Sequence, residues 1–247
     1  MIIVFLPAYN EENSIQILFE SLDQSLKPLG EYRIVVVDDG SSDNTPRILE
    51  EMKKKYPLDV ITHERNLNLG RAMLTGLSHI NEIAQDDDLI ITMDADNTHS
   101  PDVIRDLINN AEKGDVGIAS RYQTGGGEKG LSGFRSVMSR GAGTLLDLAF
   151  RVPNVRDYTC GFRLYHPSAI RKGFEVFRMD FISETGFTSM AEILIRLHII
   201  GLKFYEVPLV LRYDLKGGQS KMKVLQTIMR YFKLIVKLKR VENSLQK

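Results

Sequence analysis

The sequence predicts an α/β fold, a mostly parallel central sheet flanked by helices and Rossmann-like in its N-terminal half. Three observations carry that prediction. Short apolar runs alternate with longer segments of helical period. Two Ser/Thr-Pro pairs mark helix starts, because each sets a hydroxyl before a proline at a first helical position. Acidic, polar clusters follow the apolar runs, where open α/β sheets bind their ligands.

In chain order, the apolar runs place strands near 2–6, 33–38, 58–63, 88–93 and 115–119, with helices near 13–26, 46–55, 70–84 and 101–112. Strands separated by helices pair in parallel. Thr45-Pro46 and Ser100-Pro101 open the second and fourth of these helices. The second half is less regular, with a glycine loop at 124–127, a helix near 132–150, a short strand near 160–165, a helix near 187–200 and a strand near 203–212. Residues 1–220 read as one catalytic-type domain and 221–247 as a basic amphipathic helix and tail.

The composition narrows the function. The 247 residues are 43% hydrophobic, and 32 Lys+Arg balance 32 Asp+Glu, which excludes disorder and a globally basic nucleic-acid binder. No nucleic-acid partner is expected. A single cysteine, Cys160, offers no intramolecular disulfide and fits a reducing cytoplasm. The opening run Met1–Leu6 lacks a preceding basic region and is ended at once by Pro7, so it reads as a buried strand rather than a signal peptide. No run approaches the ~18 apolar residues of a membrane span.

The chemistry gathers at strand ends. Pro7-Ala8-Tyr9-Asn10-Glu11 follows the first strand and Asp38-Asp39-Gly40-Ser41-Ser42-Asp43 the second. A carboxylate there accepts from a base N–H or a ribose hydroxyl, and Tyr9 offers a face for a flat ring. Either motif alone is also an ordinary polar turn. Asp94-Ala95-Asp96 follows the fourth strand, a pair of hard oxygen ligands suited to Mg²⁺ or Mn²⁺ shared with a diphosphate. A solvated turn explains one such pair, but not three acidic clusters at the ends of three strands. No G-x-G-x-x-G follows the first strand, where a dinucleotide-binding fingerprint would stand, and no P-loop pattern G-x-x-x-x-G-K-[ST] occurs.

These motifs, Pro-Ala-Tyr-Asn-Glu, Val-Val-Asp-Asp-Gly-Ser-Ser-Asp-Asn-Thr, Asp-Ala-Asp-x-x-His and the later Cys-Gly-Phe-Arg-Leu-Tyr, resemble family 2 glycosyltransferases of the GT-A fold, over about residues 2–222. The likeness is greatest to the dolichol-phosphate mannose synthases and other polyprenyl-phosphate glycosyltransferases. The resemblance implies that Pro7, Tyr9, Glu11 and Asp39 contact the nucleoside, that Asp94 and Asp96 serve nucleotide and metal, and that transfer inverts the anomeric centre. It implies an acceptor lipid phosphate held by Arg121, Arg135 and Ser139. Where the family commonly carries Gln as a further metal ligand, this chain has Thr98. Arg212 and Lys221 resemble the family's last motif, which closes over the diphosphate; an exposed basic turn is the other reading of Lys221.

A nucleotide-sugar donor and a polyprenyl phosphate acceptor follow. A phosphate monoester, with a second pKa near ~6, attacks without a general base. If a base exists, Asp157 is the candidate; the other reading is a carboxylate that orders its own loop. Glu192 either lines the acceptor side or is solvated on a helix surface, and Arg135 and Arg140 either meet the phosphate or solvate a helix. Cys160 and the five histidines receive no catalytic role. Two alternatives stand beside the hexosyl (mannosyl or glucosyl) transferase: a family 2 enzyme acting on a saccharide hydroxyl, and a noncatalytic nucleotide-sugar-binding protein.

The segment 221–240 carries seven Lys/Arg and no acid, with Val224, Leu225, Ile228, Met229, Phe232, Ile235 and Val236 along one helical face. It predicts a peripheral contact with the cytoplasmic face of a membrane, through that face and Lys223, Arg230, Lys233, Lys237, Lys239 and Arg240. A final helix packed on the domain is the plain alternative. The resemblance also allows docking onto a small membrane-spanning partner.

Overall fold

A computed structural model describes residues 1–130, 133–215 and 224–245, with side chains outside the description at 133–139 and 224–228. The first half alternates as β1 (Ile2–Ala8), α1 (Ile15–Leu26), β2 (Tyr32–Asp38), α2 (Thr45–Met52), β3 (Leu58–Thr62), α3 (Leu69–Ile83), β4 (Leu89–Thr92), α4 (Val103–Asn109) and β5 (Val116–Ser120). The remainder runs β6 (Gly127–Lys129), α5 (Gly133–Phe150), β7 (Arg163–Tyr165), α6 (Pro167–Phe177), α7 (Thr188–Ile199), β8 (Phe204–Pro208), β9 (Val210–Arg212) and α8 (Val224–Leu245).

A seven-stranded sheet has the order β3-β2-β1-β4-β7-β5-β8. All its pairings are parallel except those of β7, which runs antiparallel between β4 and β5. Ile3 to Leu6 and Ile34 to Val37 are fully buried, since a strand covered on both faces needs apolar residues at every position. The order turns at the β1/β4 junction, so the crevice beyond the carboxyl ends of these strands is the expected ligand site.

Two expected caps are corrected. Thr45 lies inside α2 with Asn44 at the cap position, and its hydroxyl accepts instead from Glu11 N at 2.8 Å. Near Ser100, α4 begins only at Val103, with Asp102 before it. The strand expected over 203–212 is divided. Pro208 has no N–H for the ladder, and after Leu209 the chain leaves the main sheet to pair β9 in parallel with β6. No helix among the described residues is long and apolar enough to cross a membrane.

Helix α8 packs on the domain through Tyr231, Leu234 and Leu238, which belong to the same buried cluster as the sheet. Of the face foreseen for a membrane contact, Met229 is 60%, Phe232 48% and Val236 53% exposed, while Ile235 is half-buried against the core, and the side chains of Val224, Leu225 and Ile228, like Lys223, lie outside the described residues. The two triplets are offset by two residues, ~200° around a helix of 3.6 residues per turn, so α8 is apolar on opposite sides.

Candidate functional site

The loops leaving β1 and β2 are stitched together. Asn10 takes a left-handed conformation (φ 54°), which directs its N–H to Ser41 Oγ at 2.9 Å and its side-chain oxygen to Ser42 N at 2.8 Å. Glu12 accepts from Asn44 N at 2.9 Å. Gly40 (φ 67°) has no room for a side chain, since a Cβ would lie 2.3 Å from the Arg65 carbonyl carbon. Pro7, Tyr9 and Glu11 thus stand half-buried at the sheet edge beside Asp39.

Asp39 is buried, and its Oδ1 accepts Leu67 N at 2.9 Å and pairs with His63 Nδ1 at 2.7 Å. His63 Nε2 contacts Thr75 Oγ1 at 2.9 Å, which fixes the ring. Sequence reasoning gave His63 no role, because its partner lies far away in the chain and a lone histidine carries no local signal.

After β4, His99 Nδ1 accepts from Asp94 N at 3.2 Å while its ring stacks on Phe162, centroids 5.2 Å apart. Asp96, 8% exposed, takes two hydrogen bonds on Oδ1, from Thr98 N at 3.1 Å and Thr98 Oγ1 at 2.6 Å. Thr98 therefore orients a carboxylate where the family commonly places a ligand. Thr98 O accepts from Arg212 N at 2.9 Å, so β9 braces this turn. A Cβ on Gly161 would lie 3.4 Å from Asp94 Oδ1 and 3.3 Å from Met190 Sδ, which sets the Cys-Gly-Phe-Arg segment and the first turn of α7 beside Asp94.

No group of three or more His, Cys, Asp or Glu capable of holding a metal occurs among the described residues. Two carboxylates one residue apart in sequence fit a hard divalent cation that takes its other ligands from substrate phosphates and water, the usual manner for Mg²⁺. Asp94 and Asp96 are the residues able to hold it.

The β5 exit differs from expectation. Arg121 has a side chain 9% exposed and forms a two-pronged pair with Asp157, Nε to Oδ2 and Nη2 to Oδ1, both at 2.7 Å, with Glu128 at 3.2 Å on its other side. The open fork expected for a phosphate is directed at carboxylates. Asp157, fully buried, also accepts Arg121 N at 3.1 Å and Cys160 N at 3.1 Å. Burial pushes its pKa up, but the Arg121 charge and the hydrogen bonds outweigh this and hold it below the ordinary carboxylate value. Of the two readings of Asp157, this geometry is the loop-ordering one. Burial, together with the Asp157 charge, raises the Cys160 thiol to about 12, which leaves it inert.

Arg212 directs its guanidinium to Asp214 at 2.8 Å, so its contribution to the site is its backbone. The side chains of Arg135 and Ser139, and the whole of Lys221, lie outside the described residues. Arg140 is exposed, its guanidinium 5.8 Å from the Tyr122 ring centre. Glu192 is neither solvated nor lining an opening: it is fully buried and accepts Ser183 N at 2.8 Å and Glu184 N at 2.7 Å.

The candidate site lies at the carboxyl ends of β2, β1 and β4, at the strand-order reversal, with Asp39, Asp94 and Asp96 on the segments that leave these strands. The family model for glycosyl transferase family 2 matches residues 3–174. The chain belongs to this family. Across 246 residues the family 2 chain is 33% identical to the dolichol-phosphate mannosyltransferase of Pyrococcus furiosus, an overlap of 99% of this chain and 65% of that protein. Over 165 residues it is 34% identical to the undecaprenyl-phosphate 4-deoxy-4-formamido-L-arabinose transferase of Proteus mirabilis, covering 66% of this chain and 48% of that one. It thus spans about half to just under two thirds of these relatives' lengths.

Solved structures share the fold of this family 2 chain, the GT-A type. The glucosyl-3-phosphoglycerate synthase of Mycobacterium tuberculosis, in complex with Mn²⁺, UDP-glucose and phosphoglyceric acid, superposes with a TM-score of 0.67 at 18% identity, over 96% of this chain and 79% of that one. TarS 1–349 of S. aureus in complex with UDP gives 0.59 at 19% identity, over 96% and 64%.

Proposed function

We propose that this family 2 chain is an inverting, metal-dependent glycosyltransferase that moves a hexose, mannose or glucose, from a nucleoside-diphosphate sugar to a polyprenyl phosphate at the cytoplasmic face of a membrane. Asp157 carries the choice of acceptor. A carboxylate buried against Arg121 and held ionised is a weak base, and a phosphate monoester needs none: its own oxygen attacks C1. The named relatives that act on lipid phosphates support the same reading.

In this reading Tyr9, Glu11 and Asp39 hold the nucleoside beside Pro7, and Asp94 and Asp96 hold Mg²⁺ or Mn²⁺. When bound, the metal neutralises the leaving diphosphate. Arg135 and Ser139 receive the acceptor phosphate, with Arg121 as a buried positive backing, and Lys221 approaches the diphosphate. Helix α8 meets anionic lipid with Met229, Phe232 and Val236, flanked by the exposed Lys233 and Arg240. Lys237 and Lys239 are engaged within the protein, at Glu192 (3.2 Å) and Glu242 (2.7 Å), Arg230 lies over Gly186, and Lys223 is outside the described residues, which shortens the basic set expected from sequence.

The test is a screen of nucleotide-hexoses against extracted polyprenyl phosphates, with the lipid product read by mass. Expected is a hexosyl phosphoprenol whose formation stops on chelation, resumes with Mn²⁺, and falls about 10²-fold or more in Asp96→Asn with an unchanged circular dichroism spectrum. Transfer to oligosaccharide hydroxyls in place of lipid phosphate would overturn the acceptor assignment.

A further inference from the structure

The loop from Ser183 to Phe187 joins two sides of the crevice. Its Thr185 O accepts from Gly70 N at 2.9 Å, in the first turn of α3. The approach is too close for any other residue, since a Cβ on Gly70 would lie 1.8 Å from Glu184 O. Three residues before Gly70, Leu67 N reaches Asp39. Beyond Phe187 begins α7, whose Met190 stands beside Gly161 and Asp94. The loop therefore links the segments that neighbour the nucleoside-side and metal-side carboxylates, the chain before α3 at Asp39 and the start of α7 near Asp94.

One buried side chain holds it. Glu192 accepts the amides of Ser183 and Glu184 and the Ser183 hydroxyl, and it is balanced by Arg196 at 3.2 Å from its own helix. Arg196 in turn lies over the Phe177 ring, 4.7 Å from its centre. The remaining cation comes from α8: Lys237 Nζ is 3.2 Å from Glu192 Oε1 and 4.0 Å from Glu184 Oε1, and it also donates to Ser183 Oγ. Two turns earlier on α8, Arg230 covers Gly186, its Nη1 2.8 Å from where a Cβ would sit. Charge-assisted bonds to backbone amides fix a loop more firmly than neutral ones.

We infer that Glu192 is a positioning residue for the transfer site, and that Lys237 completes its hold, so that the seating of α8 sets the geometry of the nucleotide crevice. The inference rests on the proposed reading of that crevice as the donor site. It makes α8 a working part of the site as well as its surface contact.

The test uses the full chain as wild type, Lys237→Met and Lys237→Arg. Calorimetry follows binding of UDP and GDP with Mn²⁺, and hydrogen exchange follows residues 183–187. Lys237 is 39% exposed, so Met is accommodated, and thermal melting checks this. Expected for Lys237→Met are exchange about tenfold faster at Ser183 and Glu184 and diphosphate binding weakened about tenfold, with both restored by Arg. Faster exchange with unchanged binding would reduce Glu192 to a structural role and overturn the inference, as would unchanged exchange. A wild-type chain that binds neither nucleotide would refute the donor-site reading and the inference with it. Nucleotide binding that responds as expected, without transfer to lipid phosphate, would refute only the choice of acceptor.

Discussion

Asp157 and Arg121 show how one ion pair is both support and constraint. With exposures of 0% and 9%, they are worth keeping only together, because removing one partner leaves a buried charge and costs about 3–5 kcal/mol. Asp157→Asn should therefore lower stability by about that amount near neutral pH. The folded pKa of Asp157 is depressed, so its contribution is complete above the unfolded value of ~3.9 and is lost as pH falls through the folded value. Urea unfolding of both proteins across pH 3–7 should show a gap that is widest above pH ~5 and narrows below ~4. A gap independent of pH would mean that the carboxylate charge is not what Arg121 needs. Residues such as Asp94 and Asp96 were legible because strand ends announce them. Asp157 was legible only as two alternatives; Glu192 was singled out, but neither of its two readings matches its burial, and His63 received no role, since Ser183 and Glu184 on Glu192 and Asp39 on His63 come from outside their own elements.

At the level of elements, apolar runs located every strand of the first half to within about two residues, most plainly where a strand covered on both faces, as β1 is, leaves no polar position to blur its ends. The same logic fails for β7, where three residues do not reveal an antiparallel insertion between β4 and β5. No helix was expected between 165 and 187, where α6 lies with Pro167 in its first turn. Helix α8 was foreseen as amphipathic, but one moment cannot describe two apolar faces. Its outer face gives a specific expectation. Replacing Met229, Phe232 and Val236 together by Ser should leave melting nearly unchanged, since all three are exposed, while each lost contact weakens binding to anionic vesicles by up to about tenfold. Salt should weaken the wild-type interaction as well. Equal sedimentation of variant and wild type would exclude this face as the contact.

Across the whole molecule, the inner face of α8 joins the tail to the same core as the sheet, although the sequence suggested a boundary at residue 220. Leu234 and Leu238 are fully buried and Tyr231 nearly so, and each buried side chain of this size contributes about 1.5–3 kcal/mol. Lys237 adds its bond to Glu192, and Lys239 sits 4.6 Å from the Phe150 ring centre. A chain ending before Val224 should thus lose about 5 kcal/mol or more, which at about 2–4 °C per kcal/mol for a protein of this size lowers Tm by roughly 10–20 °C. Differential scanning calorimetry measures this directly. The shortened chain would also uncover the apolar floor beneath α8 and self-associate, so its behaviour with vesicles would report exposed core rather than a missing anchor. That is why surface substitutions on Met229, Phe232 and Val236, not truncation, isolate the membrane contact. If the shortened chain instead melts with the full one, α8 is an appendage, and its bond to Glu192 is too weak to shape the crevice.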